Sequence, residues 1–436
     1  MKRNELILID KKTFWVFIFQ ILKILNGLIG VLFVPIFLTS KEQGLWFLML
    51  SFGSLILLFN ASQNSIALIF GSHEFKSFKF KNFTIIGDNE KLENLFSFIK
   101  FTNKFYIKIL TILSIFVLII FYFYLDEPNS LEILSIFSIY IFGLYLYGLN
   151  FSILSYLESF NCVEYAYKFK SILVFFIVLI TILLLYFDFR LYSLSISIFI
   201  VMFFWFGYFI YKFKIDLFKI FKVKNKFNRH KKKVFLNFFK KNSFSMVSGF
   251  LLFQVYTPIV YYFYGSKFAG KVGLSIAIMI ALFAVSTSVL QSRLPYITKL
   301  ISNKEYKVAY NIFFNILKLS VLIFIIFLSI GSFLLYDVDF FIMYKERVVE
   351  FKSFMILSLS WFLQLIVYFL VTFTRLFKRE LFVVQTILSS IYIFISTIII
   401  LKFMSFNFIF FGLLTSYFFG LPWIYIVFKN FIKGKI

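Results

Sequence analysis

Between Thr13 and Leu38 the chain is almost wholly apolar, yet it carries Gln20, Lys23, Asn26, Gly27 and Gly30 at a spacing that gathers them on one helical face. A lysine about ten residues into an apolar helix either lines a polar cavity or reaches outward to water or a partner. A second apolar run holds Asn60, Ser62, Gln63, Asn64 and Ala67. So dense a polar cluster does not face lipid, and serves either as interhelical hydrogen bonding or as a cavity wall. Tyr140, Gly143, Tyr147 and Asn150 share a face of a later run that ends at Glu158. Gln254 stands one turn before Pro258, whose missing N–H breaks a helical bond and makes either a packing bend or a hinge. Ala277, Ala281, Ala284, Ser288 and Gln291 form a small-residue face followed by Arg293, an interfacial anchor or a ligand residue. Trp361, Gln364, Tyr368, Thr372 and Arg375 form another such row.

These residues suit binding better than catalysis. No P-loop, HExxH or nucleophile elbow is present. His73 and His230 lie in charged loops, so the intramembrane histidine expected of a membrane O-acyltransferase is missing. The outer acidic pairs, Asp126-Glu127 and Asp337/Asp339, read as loop residues. The single cysteine, Cys162, excludes an internal disulfide or a Cys-cluster metal site, and no cofactor is expected. Glu132, Glu158 and Glu350 sit at the ends of apolar runs, whereas Lys23, Lys108 and Lys318 fall inside them. A coupled exporter of cationic drugs needs a buried carboxylate. Buried cations instead favour an anionic cargo, with Lys and Arg as partners of phosphate oxygens.

The elements that position them are membrane helices. Of 436 residues, 61% are hydrophobic and only 15% charged, and Phe alone supplies 71. A soluble fold cannot hide that much apolar surface. A window of about 19 residues predicts spans near 13–38, 44–70, 105–125, 131–155, 169–187, 191–213, 243–264, 272–294, 312–336, 351–374, 381–401 and 406–428. The fold class is therefore an all-α polytopic membrane protein of about twelve helices. No cleavable leader is expected, since the first run is too long for one.

Of the 45 Lys and Arg, 34 fall on one side of these spans and 8 on the other. The positive-inside rule places both termini in the cytoplasm. The outer loops are short and leave no room for a catalytic domain. The longest inner segment, Lys212-Phe213-Lys214 through Lys231-Lys232-Lys233 to Lys240-Lys241, reads as a topology anchor or as a surface for anionic lipid head groups, not as a nucleic-acid site. It separates a six-helix lobe at 1–213 from another at 243–436, with 214–242 as linker. Pro35 and Pro258, near the outer ends of the first and seventh spans, suggest a parallel repeat and are the candidate hinges.

Gly249 to Pro258, with Gln254 inside it, followed by Gly265, Ala269-Gly270 and Gly273-Leu274-Ser275, resembles the seventh and eighth helices of polysaccharide transporters. These are the O-antigen flippase group of the multidrug/oligosaccharidyl-lipid/polysaccharide (MOP) exporter superfamily. Leu294-Pro295 fits as well, and Pro35 with Thr39 to Trp46 is similar to that family's first loop. Tyr156-Leu157-Glu158 resembles its Leu-Glu-Gly turn, with Ser159 in place of glycine. The resemblance implies two lobes alternating between inward- and outward-open states around a cationic cavity in the bacterial inner membrane. It implies an undecaprenyl-diphosphate-linked oligosaccharide as cargo, with polysaccharide polymerase and glycosyltransferases as possible partners. Lys23 and Arg293 would then attract the diphosphate, Asn60, Gln63, Asn64 and Tyr147 would meet the sugars, and Asn26 and Gln254 would complete the substrate-binding set. The alternative is a drug or small-metabolite exporter of the same fold, or a membrane polymerase.

Overall fold

The computed structural model describes residues 11–74, 79–81, 84–125, 130–159, 162–223, 232–233, 235–236, 239, 247–377 and 379–434. His230 and most of the basic segment at 224–246 lie outside the described residues. Among the described residues, eleven helices are long and apolar enough to cross a membrane. In chain order the helices are α1 (Lys11–Leu32), α2 (Val34–Phe37), α3 (Ser40–Glu74), α4 (Asn89–Tyr124), α5 (Ser130–Ser159), α6 (Val163–Tyr186), α7 (Tyr192–Lys212) and α8 (Lys214–Lys222). They continue as α9 (Tyr256–Ser302), α10 (Tyr306–Asp337), α11 (Ile342–Arg347), α12 (Phe351–Leu376), α13 (Val383–Phe403) and α14 (Phe411–Lys433).

Three features depart from the sequence expectation. The seventh and eighth spans are not separated by a loop, because α9 is two helices meeting at Gly265, with φ 78° and ψ −177°. Only glycine takes that conformation without strain, so one residue redirects the chain. Pro258 lies in the first turn of α9, just past a break at Gln254 and Val255, where its missing N–H leaves no helical bond unmade. The third span begins much earlier than 105. Asp88 caps α4 by accepting from the Glu90 N–H at 3.2 Å, and the added turns bury Leu95, Phe96, Phe98 and Ile99. Finally, the segment expected as an inner loop contains the hairpin β1 (Lys79–Lys81) and β2 (Thr84–Ile86), and the linker begins with α8.

The chain forms two compact units. One comprises Met1–Asn26 and Phe52–Val247, the other Gly27–Ser51 and Ser248–Ile436. Helices α1 and α3 thus contribute to both.

In the first unit α5 packs chiefly on α7, then on α4 and α6. Leu146, Leu154 and Leu157 from α5, Leu173 and Ile177 from α6, and Val201, Met202 and Phe209 from α7 fill its core. In the second unit α9 packs on α10, and α14 on α12 and α13.

The start of α3 sits backbone-to-backbone on α9. Thr39 and Glu42 form a capping box, with the Thr39 N–H donating to Glu42 Oε2 at 2.8 Å and the Glu42 N–H to Thr39 Oγ1 at 3.3 Å. Gln43 Nε2 donates to the carbonyls of Gly270 at 2.9 Å and Arg347 at 3.1 Å. A Cβ on Gly44 would overlap the Ser266 carbonyl, and one on Gly273 would overlap the Phe47 ring.

Candidate functional site

From Phe52 onward α3 belongs to the first unit, and its polar residues there include Asn60, Gln63 and Asn64. Asn60 is buried, donates to the Leu144 carbonyl at 3.5 Å, and accepts from the Tyr106 hydroxyl at 2.5 Å. Gly148 leaves room for that pair, since a Cβ there would strike both Tyr106 Oη and Asn60 Oδ1. Gln63, one turn further on, is fully buried, with neither amide atom in a hydrogen bond. Asn64 is half-buried, with its Oδ1 shielded and unpaired. The side chains of Ser62 and Ala67 lie outside the described residues. On α5, Asn150 donates to the Met202 carbonyl at 2.9 Å, and its Oδ1 is unpaired. Tyr147 stacks on Phe151 with ring centroids 4.0 Å apart. Thr102 and Tyr156 share a hydroxyl–hydroxyl bond of 2.5 Å. The interior of this unit is therefore a polar seam in which, among the described residues, the Gln63 amide and the Oδ1 atoms of Asn64 and Asn150 have no hydrogen-bond partner.

A charged pair adjoins the same helices. Glu158, in the last turn of α5, forms an ion pair with Lys170 of α6, and both side chains are about nine-tenths buried, at 11% and 10% exposure. The Lys170 ammonium lies 4.9 Å from the Tyr167 ring centroid and 5.5 Å from that of Phe151. Aromatic faces and a carboxylate together compensate the desolvation of that cation. The sequence puts Glu158 at the end of one apolar run and begins the fifth span at 169. The structure keeps Glu158 in the last turn of α5, as expected, and buries its side chain against Lys170, which lies about two turns inside α6.

The other expected residues are distributed differently. Lys23 and Asn26 are exposed on α1, and Arg293 is exposed near the end of α9. Among the described residues, neither Lys23 nor Arg293 has an ion-pair partner. Gln254 is half-buried at the break before α9. In the second unit Tyr417 donates its hydroxyl to Gln364 Oε1 at 2.7 Å, and the expected row along α12 buries Trp361. Among the described residues no three His, Cys, Asp or Glu side chains cluster as metal ligands.

No family model matches the sequence, and no curated protein matches it. Solved structures do. An outward-facing multidrug resistance MATE family transporter of the MOP superfamily aligns at a TM-score of 0.58 and 11% identity, over 97% of each chain. An inward-facing one aligns at 0.56 and 10% identity, over 96% of each chain. A variant of the Vibrio cholerae MATE transporter VcmN aligns at 0.54 and 12% identity, over 97% of this chain and 96% of that one. Over nearly its whole length, this chain has the fold of the MATE transporters of the MOP superfamily.

Proposed function

We propose that the protein is an alternating-access exporter that moves amphipathic small molecules, including organic cations, across the membrane, with no catalysis of its own. The observation that carries this reading is the full-length likeness to multidrug transporters in both inward- and outward-facing forms. The buried Glu158–Lys170 pair supports it further. A carboxylate in a desolvated setting is what handling a cation or coupling to an ion requires. The experiment is transport of a fluorescent organic cation into proteoliposomes against protein-free liposomes. Uptake equal in the two removes the reading.

A second reading is a flippase for a polyprenyl-diphosphate-linked oligosaccharide, as the resemblance in residues 35–46, 156–170 and 249–295 implies. Lys23 and Arg293, exposed and without acidic partners among the described residues, favour it, because unpaired cations suit a diphosphate. An inside-negative potential would assist outward movement of an anion by about 2.3 kcal/mol per charge per 100 mV. In this reading the protein works in the bacterial inner membrane with both termini cytoplasmic, beside polymerase and glycosyltransferases. Flipping of a fluorescent lipid-linked oligosaccharide in the same proteoliposomes, reduced by Lys23→Ala, separates it from the first.

A further inference from the structure

We infer that α8 is a membrane-surface helix whose outer face binds anionic phospholipid on the lysine-rich side of the bilayer. One residue, Phe213, separates it from α7, so the helix begins where an apolar span ends. Its two faces differ in kind. Phe213 and Asp216 are buried, and Leu217 and Ile220 half-buried, on the side that packs against α4 and β2. The opposite side exposes Ile215 at 50%, Phe218 at 59% and Phe221 at 76%, interleaved with exposed Lys214, Lys219 and Lys222. Exposed aromatic and branched residues at a span end belong at the level of lipid head groups, and interleaved lysines there attract acidic lipid.

The face is fixed rather than frayed. Asp216 accepts the Ile85 N–H at 2.9 Å at one end of the helix. At the other, Lys100 Nζ donates to the carbonyls of Phe221 at 2.7 Å and Val223 at 2.8 Å. These contacts hold the outward side chains in one orientation. The acid within the helix is turned inward, so no carboxylate faces outward to repel an acidic lipid. Among the described residues neither Lys214 nor Lys222 has an ion pair, and Lys222 lies 4.3 Å from the Phe218 ring centroid. Charge complementarity thus selects a phosphate-bearing lipid of net negative charge over a zwitterionic one.

The test places the full-length chain carrying Phe218→Trp in nanodiscs containing either brominated phosphatidylglycerol or brominated phosphatidylcholine, with the unsubstituted chain as fluorescence background. The added indole is expected to be quenched by both lipids, about fivefold more efficiently by the anionic one. Adding Lys214→Gln, Lys219→Gln and Lys222→Gln, all at exposed positions, is expected to bring that ratio to about one without lowering quenching by phosphatidylcholine. Equal quenching by the two lipids in the chain with its lysines intact overturns the lipid preference. Absence of quenching by either overturns the membrane contact and assigns this face to a protein partner.

Discussion

Gln43 donates its side-chain amide to the carbonyl of Gly270 at 2.9 Å, joining two segments 227 positions apart within one compact unit. Both lie in glycine-bearing stretches, from Thr39 to Trp46 and from Gly265 to Ser275. Their shared pattern is therefore a packing device. The glycines allow α3 and α9 to touch at the backbone, and Gln43 satisfies two carbonyls there. Replacing Gln43 by Ala is expected to lower stability by about 1–2 kcal/mol, the worth of one buried and one part-buried hydrogen bond. Gly44→Ala is expected to cost more, because the added methyl overlaps the Ser266 carbonyl rather than a flexible side chain. Thermal unfolding in detergent checks the order of the two variants.

The buried ion pair of the first unit separates structural from transport roles. Glu158→Gln leaves the Lys170 ammonium without its counter-ion, and is expected to cost about 3–5 kcal/mol. The double variant Glu158→Gln/Lys170→Met removes both charges and is expected to recover most of that stability. Transport of an organic cation is expected to stay low in the double variant. Recovery of transport together with stability would show that the pair only holds the fold.

The Asn60–Tyr106 bond can be tested by subtraction. Tyr106→Phe removes the donor and leaves Asn60 Oδ1 buried without it, at an expected cost of about 1–3 kcal/mol. Gly148→Ala is expected to be at least as damaging, since its methyl enters the same space. Chemical denaturation of the two variants in one detergent compares them.

Asp216 gives a pH dependence outside the spans. Burial raises its carboxyl above the ordinary range, opposed by the Ile85 N–H and by the Lys219 ammonium. A raised folded-state pKa means that the neutral form is favoured on folding. Its stabilising share is therefore complete below the ordinary carboxylate pKa and lost as pH rises through the raised value. Asp216→Asn is expected to flatten the stability profile in that window while keeping an acceptor for Ile85. Asp216→Ala is expected to destabilise at every pH by about 1–2 kcal/mol. Melting temperatures from acid to neutral pH read out both.

Apolar run length made the membrane helices legible in the sequence, because crossing hydrocarbon demands it regardless of tertiary detail. The backbone break at Gly265 was not legible as such. A glycine between two apolar runs reads equally as a loop, and only the φ of 78° distinguishes a one-residue turn. The early start of α4 and the presence of α8 were hidden because their lysines resemble loop charges. Both are amphipathic, with apolar residues facing a partner that composition cannot reveal. Asn60, Gln63 and Asn64 were legible as a cluster, since polar residues in a span must be satisfied or line a cavity. Tyr106, the partner of Asn60, was not, because it lies 46 positions away on another helix. The start of α6 at Val163 is hidden for a similar reason, since Glu164, Lys168 and Lys170 hold down the apolar average there.

The most direct measurement is counterflow. Proteoliposomes preloaded with an unlabelled organic cation are diluted into a trace of the same cation carrying a label. An alternating-access carrier is expected to accumulate the label transiently above its equilibrium level, because the returning site brings labelled cargo inward as unlabelled cargo leaves. Simple equilibration without an overshoot, or entry no faster than in protein-free liposomes, would contradict export by alternating access.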